Sequence, residues 1–243
     1  MITGWIYKEW KQHKVFMILP FVCGIIPFIC IFLFKNVWHV SIDVDLCRII
    51  GVVLAICPTL AYGDYLMVSD DSKLWAYFVT TTSEGYRGFL RVKYEVLFAM
   101  IAVQTSSIGR FDELYINIAA DRGMNDVTSI SGLAVALAFL SLFFYAFGLP
   151  VIIRFGQKKG SLIFLIAYII FIITIVVVLF INVDFIVNVL DDTNILELIK
   201  KLFSNKVMAF ITSVSNILVL FAYYVSYRIS CRLYLKGAEN YGQ

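Results

Sequence analysis

Few side chains in this sequence have the types and spacing that enzymatic chemistry requires. The two histidines, His13 and His39, stand outside the long apolar runs. No HExxH, GxSxG or paired-glutamate motif occurs, and Ser131-Gly132 lacks the histidine partner that an intramembrane serine protease needs. There is no GxxxxGK[ST] phosphate-binding loop either. We therefore expect no catalytic residue here and no ATP hydrolysis by the chain itself.

The cysteines do not predict a metal site or a disulfide framework. No CxxC pair is present, and three of the five cysteines fall inside long apolar runs. We expect them to behave as small buried apolar residues. The five are Cys23, Cys30, Cys47, Cys57 and Cys231.

A segment rich in aromatic and basic residues, positions 69–93, is the strongest candidate for a binding function. It reads SDDSKLWAYFVTTTSEGYRGFLRVK. Ser69 or Asp70 can cap a helix that follows directly, and the run Thr80–Ser83 breaks it before a second helix starts near Ser83. Exposed apolar clusters on loops usually mark a partner surface. The alternative is that the rings pack on the membrane surface. The aromatic residues are Trp75, Tyr77, Phe78, Tyr86 and Phe89.

The first residues, Ile2–Lys14, form a second candidate segment. Aromatic rings and lysine stems alternate there, a composition that suits the headgroup layer of a membrane. The pattern predicts an amphipathic interfacial elbow helix that includes Trp5, Tyr7 and Trp10. A plain positively charged anchor is the alternative.

Composition decides what these segments are attached to. The chain has 243 residues, of which 61% are hydrophobic and 15% charged, with a mean hydropathy of +0.87. Soluble domains are nearer 45–50% apolar and about 25% charged. We therefore predict an all-α integral membrane protein, with residues 1–243 as a single transmembrane domain. The net charge of +3 gives no footprint for nucleic acid.

Six apolar runs approach the length of about 20 residues that crosses a bilayer. The third is the shortest, because Gln104, Thr105, Ser106 and Ser107 crowd its end. The predicted spans are Val15–Phe34, Ile49–Val68, Tyr94–Ile108, Ser131–Ile153, Leu162–Val183 and Val207–Tyr227.

Charge asymmetry predicts the orientation. With the N-terminus in the cytoplasm, 13 of the 20 Lys and Arg residues lie in cytoplasmic segments, and 10 of the 17 Asp and Glu residues lie outside. We therefore expect a membrane protein with both termini cytoplasmic. Residues 69–93 then form a cytoplasmic loop with two helices between spans two and three.

The segment Asp184–Asn205 separates spans five and six on the outside. From Ile195 to Phe203 its apolar residues have helical spacing. This pattern predicts an amphipathic re-entrant hairpin that dips into the outer leaflet. An ordinary surface helix is the alternative.

Ionisable residues are absent from the centres of the predicted spans. A charge at the bilayer centre costs about 2.5–3.5 kcal/mol on insertion scales, so such residues are by default functional. Asp64 and Glu95 lie near the cytoplasmic ends of their spans. The pattern argues against a transporter driven by protons or sodium ions.

These features in order resemble the permease subunits of bacterial type-2 family ABC exporters, especially those for phenol-soluble modulins and antimicrobial peptides. The resemblance rests on the basic aromatic elbow WIYKEWKQHK, the acidic stretch from Asp64 to Trp75, and Arg91–Tyr94 at the entry to span three. It also rests on Phe147–Pro150, on Arg154–Gly160, and on the hairpin before the last span. The family often has a proline between its two coupling helices, where this chain has Thr80–Ser83.

The resemblance implies an assembly in the bacterial plasma membrane rather than a lone transporter. It also implies that residues 69–93 form cytoplasmic coupling helices between spans two and three. Two ABC ATPase subunits, which carry ATP and Mg, would bind the cytoplasmic loop, and a second permease chain, either a copy or a sister protein, would complete the pathway. Spans one, two and five would line that pathway, and the cargo would be amphipathic or hydrophobic, such as a peptide. The candidate ATPase-coupling residues are Lys73, Trp75, Tyr77, Phe78, Arg87 and Arg91. A non-transporting membrane scaffold and a stand-alone secondary transporter are the alternative functions.

Overall fold

The computed structural model describes residues 2–36, 72–121, 129–181 and 206–238, together with the single positions 48, 51–52, 59, 62, 65–66 and 70. These residues are almost entirely helical, and none of them lies in a strand. The all-α prediction is therefore confirmed. The helices are α1 (Ile2–Asn36), α2 (Lys73–Thr81), α3 (Gly85–Asp121), α4 (Ser131–Phe155), α5 (Gln157–Ile181) and α6 (Lys206–Ala238).

Two helices in the described part of the chain are long and apolar enough to cross a membrane. They are Ser131–Phe155, with a mean hydropathy of 2.3, and Ser213–Gly237, with a mean hydropathy of 1.2. Both overlap predicted spans, the fourth and the sixth. Most of the second predicted span, Ile49–Val68, and the whole predicted hairpin, Asp184–Asn205, lie outside the described residues.

Helix α1 contains both the predicted elbow and the first predicted span, but it is not one uniform helix. His13 has φ −118° and ψ 18°, which is not helical, so two helical segments meet there. The change of direction falls two residues before Val15, where the apolar run begins. The elbow is therefore a separate short helix that abuts the longer segment.

Helix α3 runs without interruption from the predicted second coupling helix through the third span and beyond it to Asp121. The polar residues that made this span look short are satisfied within the protein. The hydroxyls of Thr105, Ser106 and Ser107 each donate to the carbonyl four residues earlier, at 2.7, 2.8 and 2.9 Å. Gln104 is buried and accepts a hydrogen bond from the hydroxyl of Thr59. Such pairing allows neutral polar groups to lie between packed helices.

Helices α4 and α5 form an antiparallel hairpin. One residue, Gly156, joins them, and its φ of 79° is in the left-handed region that favours glycine. Helix α6 packs against α4 more extensively than any other described pair of helices does. Their C-terminal ends meet where Arg154 Nη1 donates to the Lys236 carbonyl at 2.5 Å.

The C-terminal part of α3 is held in place by Asp112, which is fully buried. Its carboxylate accepts hydrogen bonds from the buried Arg48 guanidinium, from Ser129 Oγ at 3.0 Å and from the Ile130 amide at 2.9 Å. Arg48 also lies over the Tyr115 ring, 5.0 Å from its centroid. The hydrogen bonds of Asp112 therefore connect Arg48, which precedes the second predicted span, to α3 and to the start of α4.

The close approach of α6 to α4 predicts that Gly237 is essential for their packing. A Cβ at Gly237 would lie 2.0 Å from the Ile153 carbonyl oxygen, a backbone atom that cannot move aside cheaply. Gly237→Ala should therefore destabilise the protein by about 1–3 kcal/mol. Thermal unfolding in detergent micelles would measure this. Gly109→Ala is the matched control, since nothing lies within 4 Å of that site. Equal unfolding temperatures for the two variants would contradict the prediction.

Candidate functional site

Helix α2 is the short first helix of the predicted coupling loop. Its N-cap is Ser72, whose hydroxyl accepts a hydrogen bond from the Trp75 amide at 3.2 Å. The predicted cap at Ser69 or Asp70 is therefore wrong. The physical reason is that the Asp70 carboxylate is occupied by two lysines from distant parts of the chain. The predicted break is confirmed, because α2 ends at Thr81 and α3 begins at Gly85.

The two faces of α2 have different environments. Ala76 and Val79 are buried against the core, and Trp75 packs partly against it. Leu74, Tyr77 and Phe78 share the opposite face by their helical spacing, and they are 84%, 58% and 55% exposed. The result is a helix fixed on one side that presents an apolar aromatic surface on the other.

Beneath α2 lies a group of four charged side chains, called here the ion cluster: Glu9, Asp70 and Lys93, which are buried, and Lys8, which is 24% exposed. Lys8 Nζ lies 2.6 Å from both oxygens of Asp70. Lys93 Nζ lies 2.7 Å from Asp70 Oδ2 and 3.0 Å from Glu9 Oε1. The Lys93 ammonium also donates a 2.6 Å hydrogen bond to the Leu66 carbonyl. The cluster connects α1, α3 and the residues that lead into α2.

Three aromatic rings, those of Trp5, Trp75 and Phe89, cover the ion cluster. The Trp5 ring packs edge-on against the rings of Trp75 and Phe89, at centroid distances of 6.1 and 5.4 Å. Lys8 Nζ lies 4.6 Å from the centroid of Trp75, and Lys93 Nζ lies 4.9 Å from that of Phe89. Cations over aromatic faces at these distances are attracted by the ring quadrupole. The rings therefore exclude water and add to the stabilisation of the two ammonium groups.

Burial makes the four charges depend on one another. The side chains of Lys93 and Glu9 are each 1% exposed, and that of Asp70 is 2% exposed. Burial by itself would raise the pKa of Asp70, but the ammonium groups of Lys93 and Lys8 outweigh it and hold the pKa below its usual range. Asp70 therefore stays ionised, and the cluster contains two cations and two anions. Its formal charge is balanced.

His13 borders the ion cluster at the point where α1 changes direction. Its Nε2 lies 3.7 Å from Glu9 Oε2, too far for a hydrogen bond, and its ring packs edge-on against Tyr62 at 5.3 Å. Burial lowers the pKa of His13 below its ordinary 6.5, despite the nearby Glu9 carboxylate. The neutral imidazole is thus the form that this site accommodates.

The predicted coupling residues do not all occupy one surface. Lys73, Tyr77 and Phe78 are exposed on α2, while Trp75 is half-buried against Trp5 and Phe89. Arg87 and Arg91 are exposed on α3 and line cavities between α3 and α6. Arg91 pairs with Glu95 at 2.6 Å. The structure therefore brings the α2 residues together and directs the two arginines toward α6.

The predicted elbow aromatics also divide into two groups. Trp5 faces the ion cluster, whereas Tyr7 and Trp10 are 65% and 52% exposed. Their outward position is compatible with an interfacial role, which stays a prediction.

Sequence reasoning counted Lys8 and Lys93 only as positive charges near spans; it gave Glu9 no role and Asp70 only that of a candidate helix cap. The available signal was that each of these acids stands at a predicted span boundary rich in lysine. That signal does not say which lysine meets which acid, because 62 residues separate Lys8 from Asp70 and 84 separate Glu9 from Lys93. Within the described part of the chain, no three His, Cys, Asp or Glu side chains are grouped so that they could hold a metal ion.

Removing the Lys93 cation should destabilise the protein, because the charges of the ion cluster compensate one another. Lys93→Met would leave the buried Glu9 without its closest cation, so we expect a loss of about 3–5 kcal/mol in the free energy of unfolding. Chemical denaturation in micelles would measure the loss. Adding Glu9→Gln to Lys93→Met should recover part of it, because Lys8 alone cannot balance both Glu9 and Asp70 and the excess negative charge is then removed.

Arg91→Met is the control for this series. It also removes a cation from α3, but from an exposed pair that solvent screens. A loss for Lys93→Met no larger than that for Arg91→Met would mean that the ion cluster does not form.

The lowered pKa of His13 predicts a pH dependence of stability. The unfolded histidine binds a proton near pH 6.5 and the folded one only at lower pH. Unfolding is therefore favoured as the pH falls below about 6.5, and this contribution to stability is fully present above that value. His13→Gln should reduce the decline in unfolding temperature between pH 7.5 and 5.5, whereas His39→Gln should retain it. Identical pH profiles for both variants would contradict the assignment.

Comparison with known protein families, with curated proteins and with solved structures finds no match to this chain. The geometry of the described residues and the pattern of the sequence are therefore the basis for a functional proposal. The site that they define is an exposed apolar helix held from below by a buried ion cluster.

Proposed function

We propose that this chain is the membrane-spanning permease subunit of an ATP-binding cassette exporter whose ATPase is a separate chain. It acts in the bacterial plasma membrane, has six spans and has both termini in the cytoplasm. Two ATPase subunits supply ATP and Mg, and a second permease chain completes the pathway. The cargo is amphipathic or hydrophobic, with peptides as the leading class.

The observation that carries this proposal is how α2 is held: one face is fixed to the protein and the other is exposed. A coupling element must offer a surface to its partner and must also transmit displacement without collapsing. The face formed by Leu74, Tyr77 and Phe78 supplies the surface. The ion cluster supplies the rigid link, because Asp70, two residues before the Ser72 cap, is held by lysines of both α1 and α3. Movement of α2 therefore acts on the two helices together.

The distribution of charge along α3 supports a membrane-spanning arrangement. The buried Lys93 and Asp112 are 19 residues apart, which is about 28 Å along an α-helix. The hydrocarbon core of a bilayer is about 30 Å thick. Between these positions the only charged residues are Glu95 and Arg110, each two residues from an end.

The long-range contacts support the proposed topology as well. Lys8, Asp70 and Lys93 meet one another, and all belong to segments that the charge asymmetry assigns to the cytoplasm. Arg48, Asp112 and Ser129 meet at the other end, and all belong to segments assigned to the outside. None of these contacts joins segments that were assigned to opposite sides.

The test is whether an ATPase binds through the exposed face of α2. The chain should be co-expressed with the ABC ATPases encoded nearest to it, and the complex purified and assayed for ATP hydrolysis in lipid nanodiscs. The double variant Tyr77→Ser, Phe78→Ser should release the ATPase or lower its affinity by about tenfold or more, because two exposed aromatic anchors are lost. These exposed residues are preferable to Trp75, whose replacement would also disturb the packing over the ion cluster.

Leu114→Ser is the control, because Leu114 is 56% exposed and lies on α3 two residues after Asp112, at the end away from the ion cluster. The control should retain the ATPase. If wild type is stable but no ATPase binds, the non-transporting scaffold becomes the better interpretation. If the chain moves cargo without any ATPase, the stand-alone transporter does.

A further inference from the structure

Two adjoining cavities lie between α3 and α6, on the side of the helix pair where Arg87 and Arg91 are exposed. The smaller cavity, called here the arginine pocket, has a volume of about 150 Å³ and is lined by Arg87, Arg228 and Arg232, with Tyr86, Tyr227 and Cys231. Arg228 and Arg232 are four residues apart, so they share one face of α6. No carboxylate is among the described residues that line this pocket.

The larger cavity, called here the tyrosine groove, is an open groove of about 460 Å³. Its walls are mainly aromatic and aliphatic, with Tyr94 and Phe98 from α3 and Leu220, Tyr223 and Tyr224 from α6. Arg91 and Glu95 also line it, but they form a 2.6 Å pair. The groove therefore gains no net charge from these two residues.

Tyr227 joins the two cavities because it lines both. Its hydroxyl donates to the Arg87 carbonyl at 3.3 Å, which holds α6 against α3 at the boundary. Below the boundary, the Tyr94 hydroxyl lies 2.8 Å from the hydroxyls of both Ser226 and Ser230. The helix pair thus presents a continuous surface that is cationic at one end and apolar along the rest.

We infer that this surface binds an anionic phospholipid, with its phosphate headgroup in the arginine pocket and an acyl chain along the tyrosine groove. Guanidinium groups match the geometry of phosphate oxygens and stay charged at all physiological pH values. Basic pockets between membrane helices on the cytoplasmic side are suited to such headgroups. The tyrosine groove favours a phospholipid over a free phosphate as the ligand, because a free phosphate would occupy only the arginine pocket.

The inference rests on the membrane location of α3 and α6 in the proposed function, but not on an ATPase. The residues chosen for the test, Arg228 and Arg232, lie outside the face of α2 that is proposed to bind the ATPase. Failure of ATPase binding would therefore leave the lipid site untouched. Failure of lipid binding would likewise leave the ATPase proposal intact.

The experiment is a titration of the purified full-length chain with lipid, followed by native mass spectrometry. Phosphatidylglycerol and phosphatidylcholine with identical acyl chains are the two probes. Wild type should bind phosphatidylglycerol about tenfold more tightly, and Arg228→Gln, Arg232→Gln should abolish that preference. Lys158→Gln, Lys159→Gln removes the same charge from the first turn of α5 and should keep the preference.

Three outcomes would overturn the inference. Equal binding of the two lipids by wild type is the first, and an equal loss of preference in both double variants is the second, since it would show only general attraction to positive charge. The third is a rise in unfolding temperature with glycerol phosphate that matches the rise with phosphatidylglycerol. That result would identify a soluble phosphate ligand instead.

A further double variant tests the groove without changing charge. Phe98→Ser, Leu220→Ser should weaken the binding of long-chain phosphatidylglycerol and leave any response to glycerol phosphate unchanged. If it instead converts a dimer to a monomer and leaves lipid binding as in wild type, the groove is a contact between two copies of the chain, and the lipid inference is wrong.

Discussion

The removal of three charges from water, those of Glu9, Asp70 and Lys93, beside the partly exposed Lys8, constrains most of the described structure. Lys93 and Glu9 are almost completely buried, and a lone buried charge would cost several kcal/mol. Each ion is tolerated only while the others are in place. Since they come from α1, α3 and the approach to α2, the cluster forms only when these elements adopt one mutual arrangement. Its formation therefore fixes the first segment of α1 against α3 and anchors α2 at the same time.

That arrangement explains how α2 keeps a fixed position although its outer face is apolar and exposed. Its inner face packs through Ala76 and Val79, Asp70 is held by ion pairs two residues before its N-cap, and the Trp75 ring lies against the Lys8 ammonium. The outer aromatic residues are then available to a partner at little conformational cost. The break at His13 is where a displacement of the elbow would pass into the long segment of α1. A force applied to α2 would therefore reach two long helices through short, stiff contacts.

Between its two buried charges, the hydrogen bonds that join α3 to neighbouring segments are formed by neutral groups, while Glu95 and Arg110 form exposed pairs within α3 itself. Gln104 pairs with Thr59, and Tyr94 meets Ser226 and Ser230 of α6. Such groups hold helices together without the large desolvation cost of ions. Ionic contacts occur at the two ends, where Lys93 and Asp112 lie about one bilayer thickness apart. The same division appears on the outer surface of α3 and α6, where arginines line one cavity and aromatic rings the next.

The sequence by itself determined the all-α class, the position of the break between α2 and α3 and the short helix that precedes the first apolar run, because composition, helix-breaking residues and helical periodicity are local properties. It misplaced the cap of α2, since Asp70 is drawn away by lysines that are distant along the chain. It did not determine the ion cluster or the arginine pocket. Both depend on which helices become neighbours, as when Arg87 of α3 meets Arg228 of α6. Only the tertiary structure decides this, because burial and pairing of charge are properties of packed helices and not of any one segment.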